Sequence, residues 1–138
     1  MPPHASATVR VRYSETDQMG MAYHAHYLVW CEIGRTELIR GLGTPYAELE
    51  RQGVRLAVVE AAVRYREAAY YDDLLRIDTH VEHVRSRSVG FAYEIHRVDA
   101  GSAALLATAS TWLLALDGNG RPRTLPPATR RALAAHAS

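Results

Sequence analysis

Between Tyr27 and Leu38 the residues Tyr27, Trp30, Cys31, Gly34 and Leu38 recur three and four positions apart, which puts them on one face of a helix. Glu32, Arg35, Glu37 and Arg40 fill the charged positions. Starting at about His24 and ending at Gly41, Gly43 and Pro45, with Gly for a left-handed cap and Pro as the stop, the helix covers roughly 17 residues and about 25 Å. Most of the remaining chain has period two. Val9, Val11 and Tyr13 oppose Thr8, Arg10 and Arg12, and a second run alternates through Ala57, Val59, Ala61, Val63 and Tyr65. Leu75, Ile77, Thr79 and Val81 form a third series; Val89, Phe91, Tyr93 and Ile95 form a fourth. Residues 103–116 mix helix-favouring Ala and Leu with Thr and Trp. The following turn, Asp117-Gly118-Asn119-Gly120, decides for a strand. Short helical segments are expected at 45–51, closed by Gly53, and at 127–135. One long helix among strands that can follow one another antiparallel implies an α+β domain whose sheet curls round the helix. The far face of that sheet then needs a cover, most simply a second subunit.

The chain has 138 residues, enough for a single domain, 1–138, with no repeat or linker. Sixteen basic residues against fifteen acidic ones give a net charge of +1, without the basic excess of a general nucleic-acid binder. Every Lys or Arg position is Arg, so Lys-dependent Schiff-base chemistry is excluded. Cys31 stands alone, which excludes intrachain disulfides and multi-Cys metal sites. The first eight residues do not read as a signal peptide, and the most apolar stretch, 103–116, is broken by Thr108, Ser110 and Thr111. A soluble, cytoplasmic protein without a membrane span is expected.

Chemistry concentrates in the loop before the helix, from Tyr13 to Tyr27. Asp17 is a carboxylate among apolar and aromatic residues; burial there would raise its pKa and make it a better base or nucleophile. Gly20 permits a close backbone approach. The helix start near Tyr23 and His24 offers free N–H groups that could hold a carbonyl oxygen as it becomes an oxyanion. A carboxylate one loop from an oxyanion site suits acyl transfer or hydrolysis. For Asp17 alone, capping of the loop is the commoner role.

The wider pattern shifts that balance. Glu15-Thr16-Asp17-x-x-Gly20-x-x-Tyr23-His24-x-x-Tyr27, followed by Glu32-x-Gly34-Arg35-Thr36-Glu37, resembles the 4-hydroxybenzoyl-CoA thioesterase group of the hotdog-fold superfamily. The His after the Tyr makes it most similar to the small acyl-CoA thioesterases associated with the Tol–Pal cell-envelope system. Tyr71-Asp72-Asp73 and Arg121-Pro122-Arg123-x-Leu125-Pro126 also match, so the resemblance covers nearly the whole chain. It implies a hotdog fold, a five-stranded antiparallel sheet wrapped around the long helix, and homodimers with shared active sites that often pair into homotetramers. It implies hydrolysis of acyl-CoA without metal or cofactor. Asp17 would attack the thioester or activate water, and the His24 N–H would polarise the carbonyl. The His24 side chain and Tyr13 would orient the substrate or assist. Arg85, Ser86, Arg87 and Ser88 would hold coenzyme A phosphates from a neighbouring subunit, although a solvated hairpin turn has the same composition. Val58, Val59 and Glu60 would form a pocket wall from the partner, with edge exposure the simpler reading of Glu60. Two departures stand out. Met19 is bulkier than the small residue of many relatives and could narrow the acyl pocket, and Gly34 replaces a common Ala and would bring helix and sheet closer.

Other candidates are weaker. Asp17, His24 and His26 lack a convincing tetrahedral metal set. Cys31 lies on the apolar stripe, where thiols are usually inert. His80, His83 and His96 read as surface or interface residues, and His4 and His136 lie near the termini. Glu32 and Glu37 more simply pair with Arg35 or Arg40 than replace Asp17 as the base. A non-catalytic acyl-CoA-binding module or sensor, and a dehydratase of the same fold, are the competing functions.

Overall fold

A computed structural model describes residues 5–137 of the chain; His4 lies outside them. The elements run β1 (Ala5–Arg10), a 3-10 turn (Tyr13–Glu15), α1 (His26–Arg40), α2 (Thr44–Arg51), β2 (Arg55–Tyr65), β3 (Leu74–Val84), β4 (Ser88–Asp99), β5 (Ser102–Leu116) and α3 (Pro127–His136). The five strands form one antiparallel sheet in the order β1-β3-β4-β5-β2. Strands β3, β4 and β5 follow one another as their alternation predicts. In contrast, β2 pairs with β5 and not with β3, because the 66–73 segment carries the chain across the end of the sheet.

The expected helical stripe is the buried stripe. Tyr27, Trp30, Cys31, Gly34 and Leu38 are all buried, joined by Ile39. They meet Leu75, Ile77, Val81, Phe91, Tyr93 and Ile95 of the sheet, each at most 1% exposed. Gly34 sets the spacing: a Cβ there would lie 2.5 Å from Thr79 Oγ1 and 2.7 Å from Ile77 Cγ2. Helix α1 begins at His26, two residues later than the stripe suggested, and the left-handed residue after it is Gly43 (φ +70°), Gly41 staying right-handed at φ −65°.

Two other expectations need correction. The first strand ends at Arg10, so Tyr13 lies in the 3-10 turn. Strand β2 is mostly exposed, with Val59 at 56% and Tyr65 at 46%. It is an edge strand, and its alternation breaks where Val58 pairs with Leu113 and Glu60 with Trp112, leaving Val59 as the extra residue of a bulge. A matching irregularity in β3 falls between Val81 and His83. Both flank the row where Trp112 lies across Gly90, whose absent Cβ would sit 2.6 Å from the indole ring. The sheet bends there.

Candidate active site

The loop before α1 is a tight hairpin. Thr16 and Ala22 bridge, the Asp17 N–H donates to the Met21 carbonyl at 2.8 Å, and Gly20 N–H to the Asp17 carbonyl at 3.1 Å. Gly20 takes φ +77°, a conformation that glycine adopts without strain. At the turn, Asp17 Oδ1 accepts the N–H groups of Met19 (2.8 Å) and Met21 (3.2 Å). Asp17 therefore does cap its loop, as short acidic side chains do. Among the described residues no hydrogen bond reaches its other oxygen, Oδ2. The carboxylate is exposed and not buried as its neighbours suggested, because the loop projects from the chain and nothing in the same chain covers it.

Glu15, two residues earlier, is the buried carboxylate, at 3% exposure. Its Oε1 accepts the Arg12 N–H at 2.8 Å, and its Oε2 accepts the Trp30 indole N–H at 3.2 Å. Burial pushes its pKa up, but the Arg12 amide, the Trp30 indole and the Arg12 guanidinium outweigh it and hold the pKa below the ordinary value. The Glu15 carbonyl also takes the Tyr23 N–H at 2.8 Å, and the Ala69 carbonyl takes that of Ala22 at 2.8 Å. The loop is thus fixed both to α1 and to the 66–73 segment. Sequence reasoning missed Glu15; the available signal was Trp30, an indole on a buried stripe that needs an acceptor.

Tyr23 N–H, His26 N–H (to Tyr23, 3.0 Å), Tyr27 N–H (to His24, 3.4 Å) and Leu28 N–H (to Ala25, 3.2 Å) all have backbone acceptors. Among the described residues the amides of His24 and Ala25 have none. No acidic residue occupies the first turn of α1, so nothing there offsets the positive end of the helix dipole. His24 lines a cleft of about 280 Å³ together with Met21, Ala22, Tyr27, Tyr65 and residues 66–68. Tyr27, read in the sequence as part of the buried stripe, and Tyr65, read as part of a strand, line it without having been candidate site residues.

Of the candidate site residues read from the sequence, only His24 lines this cleft. Its ring lies tilted against that of the exposed Tyr23, centroids 4.4 Å apart. Tyr13 is 77% exposed and meets Tyr71 edge-on at 5.8 Å. Met19 is 76% exposed and does not narrow the cleft; Met21 lines it. Val59 and Glu60 sit at the β2 bulge, both exposed. Arg85, Ser86 and Arg87 form the β3–β4 turn and Ser88 begins β4, with the Arg85 guanidinium 5.5 Å over Trp112. Ser88 aligns with Leu114, and Leu114 with Ala57 near the start of β2, whereas His24 is bonded to Tyr65 at its end. The Arg turn and the cleft therefore occupy opposite ends of one chain.

Cys31 is fully buried, and burial pushes its thiol up to about 12, as an inert core group requires. Glu37 pairs with Arg40, whereas Arg35 reaches the Tyr93 hydroxyl at 3.4 Å. His80 and His96 are half-buried in the sheet, and His83 lies 6.3 Å from Trp112. Among the described residues Asp78, Glu94 and His96 bring potential metal ligands within 4.8 Å of one another. Asp78 there is already bonded by Ser6 at 2.7 Å and Arg76 at 3.0 Å.

A five-stranded antiparallel sheet with α1 packed against it is the fold expected of a hotdog thioesterase. Comparison with known proteins agrees. Residues 11–133 match the family model of the thioesterase-like superfamily, and the chain belongs to that family. It is 40% identical to Bacillus subtilis YneP over 74% of this chain and 73% of that protein. It is 34% identical to the acyl-CoA thioesterase YbgC of Haemophilus influenzae over 92% of both chains. The solved DHNA-CoA thioesterase of Staphylococcus aureus superposes with a TM-score of 0.85 at 30% identity, covering 95% of this chain and 89% of that one.

Proposed function

We propose that this protein is a cytoplasmic acyl-CoA thioesterase that hydrolyses small to medium acyl-CoA to the free acid and coenzyme A, with Asp17 as nucleophile or general base. The observation that carries the reading is the division of labour within Asp17. Oδ1 is spent on two backbone amides that fix the side chain, and Oδ2 remains for chemistry. The thioester oxygen would take the unpaired amide of His24, with that of Ala25 beside it, and gain stabilisation as negative charge develops. The carbonyl carbon is then attacked by Asp17 or by a water that Asp17 deprotonates. The C–S bond breaks and coenzyme A leaves as a thiolate, which takes its proton from solvent in the first route and, in the second, the proton that Asp17 took from the water. In the first route water then hydrolyses the acyl–Asp17 anhydride; in the second the acid forms directly. Carboxylate and amides supply all of this chemistry without metal or cofactor.

The working unit is a homodimer. The edge of β2 carries Val58, Val59 and Tyr65, each about half exposed, beside Leu28, Val29 and Ile33 of α1 at 37–42% exposure. Unpaired strand edges and contiguous exposed apolar groups mark a surface made to be covered. Antiparallel pairing of two β2 strands brings the start of the partner's β2 to the end of this one. Because the Arg85–Ser88 turn lies at that start, a partner's Arg85 and Arg87 would come to the His24 end, where the phosphates of coenzyme A need cations. The same pairing would supply Val59 and Glu60 as a pocket wall. Pairing of two dimers through the exposed sheet face would give the homotetramer. Gly20 and Tyr23 shape the mouth of the site, and the His24 side chain and Tyr13 orient the substrate or assist.

A non-catalytic acyl-CoA sensor has no need of a carboxylate fixed by one oxygen with the other left free. Release of free thiol from acetyl-, hexanoyl-, palmitoyl- and aromatic-CoA separates the two: turnover supports the enzyme, and tight binding without thiol release overturns it.

A further inference from the structure

Tyr65 ends β2 opposite Ala107, so its backbone is held in the sheet while its side chain reaches the helix. Its hydroxyl donates to the His24 carbonyl at 2.8 Å, and its ring meets Tyr27 edge-on with centroids 4.9 Å apart. Tyr27 is itself immobile: it is 2% exposed, its hydroxyl accepts the Ala69 N–H at 3.1 Å, and its ring tilts against Trp30 at 4.8 Å. Tyr65 remains 46% exposed and lines the same cleft as His24. Of the two tyrosines that line the cleft it is the one a substitution can change without opening the core; its exposed part faces the proposed dimer interface, so its variants are compared as assembled dimers.

We propose that Tyr65 sets the length of the acyl group, its ring ending the acyl pocket and its hydroxyl holding the His24 peptide in place. This rests on the reading that the His24 amide receives the thioester oxygen. An acyl chain anchored there starts inside the cleft, and a space of about 280 Å³ is small for a ligand pocket. Tyr27 cannot yield, so a longer chain is stopped at Tyr65. The hydroxyl acts separately: a hydrogen bond to the His24 carbonyl orients the peptide unit that carries the Ala25 N–H.

Free-thiol release from butyryl-, octanoyl- and palmitoyl-CoA by the wild type, Tyr65→Phe, Tyr65→Val, Tyr65→Leu and Asp17→Asn separates these roles. Tyr65→Phe keeps the wild-type length profile and lowers kcat. Tyr65→Val shifts the profile toward longer chains, by about fourfold in kcat/KM for each methylene newly accommodated. Tyr65→Leu, which retains more apolar bulk at the strand edge, reads the same shift at smaller size. Profiles of Tyr65→Val and Tyr65→Leu that run parallel to the wild type overturn the proposal, whatever their absolute rates. Asp17→Asn reports on the catalytic assignment alone: full turnover there removes Asp17, whereas a length shift or its absence at position 65 is scored independently.

Discussion

The indole N–H of Trp30 donates to Glu15 Oε2 at 3.2 Å, and this one bond ties the loop that carries Asp17 to the buried face of α1. Glu15 is a charge taken out of water, and it is tolerated because each oxygen has a donor. Glu15→Ala leaves the Arg12 amide and the Trp30 indole buried without an acceptor, at a cost of about 1–3 kcal/mol. Thermal unfolding will show the loss. Trp30→Phe leaves the buried Glu15 Oε2 without its donor and trims a ring that is 1% exposed, so it should cost at least as much.

Glu15 also gives stability a pH signature. Its folded-state pKa lies below the ordinary 4.5, so the folded state favours the ionised form more than the unfolded chain does. The contribution is fully present above 4.5 and is lost as the pH falls through the folded-state value. Denaturant midpoints of the wild type and Glu15→Gln should therefore differ by a constant amount near neutrality and converge on acidification. A gap that persists unchanged in acid would mean that the charge of Glu15 is irrelevant.

Gly34 offers a packing test. A methyl at this position overlaps Thr79 Oγ1 and Ile77 Cγ2, so Gly34→Ala destabilises by about 1–3 kcal/mol despite its better helix propensity. Thr79 Oγ1 is buried and has no hydrogen-bond partner among the described residues, so Thr79→Ala removes that overlap, though not the one with Ile77, without stranding a polar group. The double variant should recover part of the loss, and a double-mutant cycle of chemical unfolding measures the coupling.

Much of this architecture is legible in the sequence because it depends on local period. The stripe from Tyr27 to Leu38 and the alternations of β3 and β4 each report which face is buried, and the structure buries those faces. What escapes is non-local. Nothing in the spacing of residues 57–65 says that β2 pairs with β5, or that a bulge at Val59 interrupts its alternation. Apolar residues on β2 look like core in the sequence, yet no described segment of the chain covers most of them. Asp17 stands out in the sequence as a carboxylate in an apolar loop; its exposure does not, since apolar neighbours bury a group only when the loop folds back on itself. Glu15 is hidden for the opposite reason: its partner Trp30 lies fifteen residues away on another element.

The edge of β2 yields a prediction about assembly. Charges introduced by Val58→Asp and Val59→Asp would be driven into the proposed subunit interface, where unpaired carboxylates are unfavourable. Sedimentation should show the double variant as a monomer with its fold intact by circular dichroism, and thiol release should disappear with the dimer. A fully active monomer would mean that the site is complete in one chain.

Cys31 should be a spectator. With its thiol pushed up to about 12 and fully buried, it is protonated at neutral pH and unavailable to reagents. A thiol-reactive dye should label it only after unfolding, and Cys31→Ala should retain turnover.

The central claim is that Asp17 performs the chemistry with one oxygen while the other holds the loop. Asp17→Asn tests it most directly, since the amide oxygen of Asn can accept the same Met19 and Met21 N–H groups and preserve the turn. The account predicts a variant with wild-type thermal stability and assembly whose rate of thiol release falls roughly 10²- to 10⁴-fold. A folded Asp17→Asn enzyme that releases thiol at close to the wild-type rate would contradict it.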